Sequence, residues 1–152
     1  MAKPVKTAQD LVDTQCTCGR LRRTARCMTQ CYETALKPTG LTISQYQILA
    51  HTAHSKALSI TALAAIIAVD RTTLTRNLRP LENTGLIAVV DGPDRRSRAV
   101  ELTPAGQLKY QQGLVCWGAA QAALEQHLGS ARTAALHELL DQAFVEASNV
   151  SF

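Results

Sequence analysis

Asp70-Arg-Thr-Thr-Leu-Thr-Arg-Asn-Leu-Arg-Pro-Leu-Glu-Asn-Thr-Gly-Leu-Ile87, running on through Ala88-Val-Val-Asp-Gly-Pro-Asp-Arg-Arg-Ser-Arg98, decides the fold. Leu74, Leu78 and Leu81 recur at i, i+4 and i+7, the spacing of one buried stripe on a helix. Asp70 is a good N-cap, and Gly85 follows the last periodic residue as a left-handed terminator does. The spacing predicts a helix from about Arg71 to Thr84. At about 100° per residue, the opposite face carries Thr72, Arg76, Arg79 and Asn83, flanked by Thr73 and Thr75. No acid falls on that face. Arginine pairs bidentately with guanine and threonine meets a thymine methyl or a phosphate, so the face suits the major groove of duplex DNA.

The next residues read as a two-stranded ribbon. Ile87 to Val90 is a short β run, Asp91-Gly-Pro-Asp94 is turn chemistry, and Arg98-Ala-Val-Glu-Leu102 alternates as a strand. The loop presents Arg95 and Arg96, with Asp94 beside them, and an arginine tip suits a narrow minor groove. Between Asp70 and Arg98 lie six arginines against four acids, so the mild net charge of +4 is concentrated where DNA would lie. Pro80 removes a backbone donor inside the helix and is expected to bend it beyond the reading half.

Upstream, Ser59 caps a short helix from Ile60 to Ala68, and only Val69-Asp70 separate it from the basic helix, so the two form a helix-turn-helix pair. A helix begins after Thr42 and ends near His54-Ser55. A longer one runs from about Cys18 and must stop near Pro38-Thr-Gly40. Downstream, Thr103-Pro104 opens a long helix to about Leu128, Gly129-Ser130 breaks it, and a last helix reaches about Ala147. The fold class is mainly α with a small β-hairpin wing. The chain has 152 residues, 46% of them apolar but only 4% aromatic, enough for one core built from aliphatic side chains. It has no apolar run long enough for a membrane span and no secretory leader, so a cytoplasmic protein is expected.

The joint order of Gly40-Leu-Thr with Gln45, Ser59 to Ala68, Asp70-Arg-Thr-Thr-Leu-Thr-Arg, Leu81-Glu-Asn-Thr-Gly-Leu-Ile87, Asp94-Arg-Arg-Ser97 and Leu102-Thr-Pro-Ala-Gly106 resembles the MarR family of winged helix-turn-helix transcription factors. The resemblance spans about residues 20 to 148. It implies a homodimer joined by the terminal helices, residues 1–38 and 104–152, around a DNA-binding region, residues 39–103. It also implies a pseudo-palindromic operator and repression lifted by a small ligand or oxidant. Thr72, Thr73, Thr75, Arg76, Arg79, Arg95 and Arg96 become the expected DNA contacts. Pro80 departs from the commoner member of the family.

Cysteine supplies the candidate signal site. Four of the five, Cys16, Cys18, Cys27 and Cys31, crowd together as C-x-C-x8-C-x3-C, and Cys116 sits on the long downstream helix. Cys27 and Cys31 share a helix face, with Cβ atoms ~6 Å apart. Cys16 and Cys18 read as a hook at the helix start. A helix extended through Cys16 would hold it ~16 Å from Cys27, too far for one ion, so the hook must fold back or meet a thiol of another element or subunit. All-sulfur ligation selects soft centres, and three thiolates suit trivalent arsenic or antimony. Zinc prefers four ligands and ranks below, because His51 and His54 are the only close histidine pair. The expected inducer is therefore arsenite- or antimonite-like, held by some of Cys16, Cys18, Cys27, Cys31 and Cys116.

The alternative is peroxide sensing. Arg20, Arg22 and Arg23 follow Cys18, and positive neighbours favour a reactive thiolate. The organic-peroxide branch of the family carries its thiol at about that place. A metal-storage protein or thiol enzyme is a weaker alternative, since no histidine motif accompanies the cysteines and no phosphate loop or zinc-hydrolase motif occurs.

Overall fold

The computed structural model describes residues 16–55, 57–92 and 97–150. Its element order is α1 (Thr17–Leu36), α2 (Ile43–Ala53), β1 (Leu58–Ser59), α3 (Ile60–Ile67), α4 (Arg71–Asn83), β2 (Ile87–Asp91), β3 (Arg98–Leu102), α5 (Pro104–Leu128) and α6 (Ser130–Ser148). A 3-10 turn, Lys37–Thr39, closes α1, and Gly40 takes the left-handed conformation at φ 71° that reverses the chain.

Each helix starts where its sequence offers a cap. Thr42 and Gln45 form a reciprocal capping box at α2. Ser59 accepts from the Ala62 amide, Asp70 from Thr73 and Thr103 from Gly106. The turn between α3 and α4 is made by Ala68, a non-glycine residue in the left-handed region at φ 58°. The sequence places Ala68 inside the helix. Its N–H instead closes α3 onto the Ala64 and Ala65 carbonyls.

The sheet has three strands in the order β1-β3-β2, all antiparallel, rather than the two read from the sequence. Leu58 and Ser59 pair with Val100 and Ala99, so Ser59 is both a strand residue and the cap of α3. A two-residue strand shows no alternation, which is why it escapes a periodicity reading.

The core gathers Leu36, Leu49, Leu63, Leu74, Leu81 and Val100, all at most 1% exposed. The stripe read on α4 is thus the stripe that is buried. Helix α5 begins against the end of α4: Thr103 Oγ1 donates to the Gly85 carbonyl at 2.6 Å, and a side chain at Gly106 would strike the Leu86 carbonyl. That close approach explains a glycine two residues after Pro104. By contrast α6 buries only Thr133 within one protomer.

Candidate nucleic-acid interface

On α4, Thr72, Thr75, Arg76 and Arg79 are exposed and line one shallow groove, directly opposite the buried Leu74, Leu78 and Leu81. Thr73 is different. It is half-buried, and it donates its hydroxyl to Asp70 Oδ2 at 2.6 Å while its amide donates to Oδ1 at 2.8 Å. Thr73 is therefore first a part of the cap. The hydroxyl proton of Thr75 goes to the Arg71 carbonyl at 2.8 Å, leaving its methyl and oxygen lone pairs for an outside partner. These bonds from Thr73 hold the Asp70 carboxyl below its ordinary range, the side-chain bond first and the backbone bond second. The one acid at the start of α4 is thus engaged with the helix.

Helix α4 continues through Pro80 to Asn83. The proline is exposed, and its carbonyl is taken by the Thr84 amide at 3.1 Å and the Thr84 hydroxyl at 2.9 Å. The leucine stripe stays packed on both sides of it.

Strands β2 and β3 form the ribbon, in register from Ile87↔Leu102 to Asp91↔Arg98. The Gly92 N–H donates to the Ser97 carbonyl at 2.8 Å. Arg98 lies along the ribbon, 3.7 Å from Asp91 and bonded to the Val89 carbonyl at 3.2 Å. The tip that carries Asp94, Arg95 and Arg96 lies outside the described residues.

The cysteines are laid out along α1 rather than gathered. Cys16 is the N-cap, its Sγ accepting the Gly19 N–H at 3.3 Å. Cys18 lies within the helix, so the pair does not form the flexible hook expected from sequence. A regular helix then keeps Cys16 ~16 Å from Cys27, which rules out the fold-back arrangement. Cys18, Cys27 and Cys31 are exposed, and Cys116 is half-buried against the core beside Trp117. Among the described residues, no three histidine, cysteine or acidic side chains gather to hold a metal ion. Cys31 lines a groove of ≈ 550 Å³ between α1 and α5, with Thr34, Ala35, Ala120, Ala123 and His127.

The sequence reading missed an aromatic stack. Tyr46 of α2 lies 6.1 Å from the Tyr110 ring and 6.2 Å from Trp117, both on α5, at interplanar angles of 24° and 22°. Burial, then the neighbouring Tyr110, pushes the Tyr46 hydroxyl up to about 12. His54 packs edge-on against Tyr110 at 6.2 Å. The available signal was the i, i+3, i+7 row of Tyr110, Gly113 and Trp117 on α5.

Comparison with known proteins identifies the arrangement. A model of the MarR family matches residues 39–97. The chain is similar to the M. tuberculosis transcriptional regulator MosR in complex with DNA, at 38% identity, TM-score 0.77, and coverage of 90% of this chain and 100% of that one. It is also similar to a mutant MarR from E. coli complexed with operator DNA, at 25% identity and TM-score 0.79, covering 88% of this chain and 98% of that one. The repressor CouR, bound to a 23-mer DNA duplex, shares the fold at 21% identity and TM-score 0.79, with 92% and 98% covered. No match was found among curated proteins.

Proposed function

The chain belongs to the MarR family of DNA-binding transcriptional regulators, and we propose that it is a homodimeric repressor released from its operator by thiol chemistry on α1. The observation that carries the DNA half is the exposed Thr72, Thr75, Arg76 and Arg79 groove opposite the leucine stripe. MosR at 38% identity and MarR at 25% were both solved on DNA. Two copies of this face, one turn of DNA apart, match a pseudo-palindromic site, and the wing arginines Arg95 and Arg96 are assigned to the flanking minor groove.

Dimerisation is supported by apolar surface on the terminal helices. Val115, Leu139, Phe144 and Val145 are 75%, 64%, 59% and 57% exposed in a single protomer. A groove lined by Leu21, Ala25, Met28, Leu124, Leu136 and Leu140 runs between α1, α5 and α6. Surface of this kind marks a protein interface.

For the signal, geometry favours oxidation over the metalloid ranked first from sequence. A metalloid needs three sulfurs. The straight α1 spreads the thiols along its length, so one protomer's described residues do not gather three. Oxidation needs two, and Cys16 and Cys18 stand two residues apart at the exposed helix start. A thiolate of Cys18 would attack an organic hydroperoxide, breaking the O–O bond, releasing the alcohol and leaving a sulfenic acid. The Cys16 thiolate would then attack that sulfur, breaking the S–O bond and closing a disulfide while the departing hydroxide takes a proton from solvent and leaves as water. Because Cys16 caps α1 through its sulfur, the disulfide would remove the cap and unwind the first turn.

One observation keeps the metalloid as a second reading. Cys27 and Cys31 are both exposed at i, i+4 and offer two sulfurs of a clasp, with the third from the other protomer. A mobility-shift titration of the protein on the DNA upstream of its own gene separates these readings. Release by an organic hydroperoxide, lost in Cys16→Ser and Cys18→Ser, supports oxidation. Release by arsenite, lost in Cys27→Ser and Cys31→Ser, supports chelation. Absence of sequence-specific binding refutes the regulator itself.

A further inference from the structure

We infer that Glu33 is the positioning residue that couples the cysteine-bearing helix to the DNA-reading unit. The inference rests on the proposed thiol signal for its biological meaning, but not for its structure.

The first four N–H groups of a helix lack partners inside it. At α2 the capping box satisfies the Gln45 amide through Thr42. The Ile43 amide, at the first helical position, is not within that box. It donates to Glu33 Oε1 at 2.9 Å, across from α1. A carboxylate placed there also meets the positive end of the α2 dipole, so the bond is charge-assisted. Glu33 is half-buried, which keeps the contact partly out of competing water.

Its neighbours make this more than a surface contact. Tyr32 donates its hydroxyl to Gln121 Oε1 on α5 at 2.6 Å. Consecutive residues thus bind α1 to two elements, Tyr32 to the long α5 and Glu33 to the start of α2. Cys31 directly precedes them and opens into the α1–α5 groove lined by Ala35, Ala120 and Ala123. On the α5 side the groove is walled by Ala119, Ala120 and Ala123 with Leu124 and His127, so a group added to Cys31 presses on these side chains, and it bears on the turn that holds Glu33. Beyond Glu33 the path is short. Helix α2 contacts α4 directly, and Ile48 and Leu49 share one core with Leu74 and Leu78. A displacement of α1 at Cys31 therefore reaches the base of the recognition helix through the Ile43–Glu33 bond.

The test uses the full chain with serine at Cys16, Cys18, Cys27 and Cys116, so that Cys31 alone reacts with N-ethylmaleimide. Amide hydrogen exchange over residues 43–46 and affinity for the upstream duplex are read before and after modification. Modification is expected to speed exchange of the Ile43 segment at least about tenfold and to weaken DNA binding. In Glu33→Ala, that segment should exchange fast from the outset, and modification should no longer change DNA affinity. Glu33→Gln keeps an acceptor oxygen and should respond like the parent. The inference is overturned if modification leaves the segment unchanged in the parent, or if Glu33→Ala responds as the parent does. If exchange responds as expected while peroxide and arsenite never release DNA from the wild-type chain, the coupling stands and the proposed signal falls.

Discussion

Arg76 and Arg79 carry the sharpest claim at the scale of single residues. Both are exposed on the face opposite the stripe, and neither is tied back to the helix by a bond such as those that occupy Thr73 and Thr75. Replacing either by Ala should weaken binding to the upstream duplex by about 1–3 kcal/mol if it reads a base. Fluorescence anisotropy against cognate and scrambled duplexes checks this. A loss confined to the cognate duplex marks base reading, and an equal loss on both marks phosphate contact. Asp70 acts on the fold instead. Its folded-state carboxyl is held down, through Thr73 first, so the stability it contributes is complete above the ordinary carboxylate range and is lost as pH falls through the depressed value. Asp70→Ala should lower the melting temperature at neutral pH, and the gap from wild type should close in acid. The cap at Asp70 and the exposed placement of Arg76 and Arg79 were legible in the sequence because a cap and a periodic stripe are local. The role of Thr73 was not, because a helical wheel gives direction but no hydrogen-bond partner.

Helices and strands were read well wherever a cap or terminator marked their ends. Thr42, Ser59, Asp70, Thr103 and Gly129 all stand at the boundaries the sequence announced. Two features depended on partners far along the chain and stayed hidden. Strand β1 exists only because β3 lies beside it. The Tyr46 stack exists only because α5 crosses α2 at Gly113. There a Cβ would stand 2.7 Å from Tyr46 Cδ2 and 3.4 Å from Leu41 Cδ1. The Tyr46 ring is buried between Tyr110 and Trp117 and has nowhere to turn. Gly113→Ala should therefore destabilise the protein by about 1–3 kcal/mol through overpacking. Urea denaturation reads it directly, and a change under ~0.5 kcal/mol would mean that α5 can shift away from α2. The cysteine hook failed for a local reason. Placing the helix start one residue earlier, at Thr17, turned Cys16 into a cap and Cys18 into a helical residue.

The molecule as a whole is one DNA-reading unit carried on α1, α5 and α6. Val115, Leu139, Phe144 and Val145 leave apolar surface exposed on α5 and α6, the basis of the proposed dimer. If the proposed dimer is built on this surface, Phe144→Asp with Leu139→Asp should give a monomer in sedimentation velocity where the wild type sediments as a dimer. It should also reduce operator affinity much more than affinity for random DNA, since two half-sites are no longer read together. A double variant that remains dimeric would place the interface elsewhere. No helix among the described residues is long and apolar enough to cross a membrane.

In the proposed function, thiols on α1 decide whether α4 stays in the groove. Its most direct test is anisotropy of the labelled upstream duplex, titrated with reduced protein, with protein treated with an organic hydroperoxide, and with the treated protein after dithiothreitol. Specific affinities of this class lie at ~10⁻⁸–10⁻¹¹ M. The account predicts binding in that range when reduced, at least a tenfold loss on oxidation, full recovery with thiol, and no loss in Cys16→Ser or Cys18→Ser. Oxidised wild-type protein that keeps its affinity, or serine variants that lose theirs as the wild type does, would contradict it.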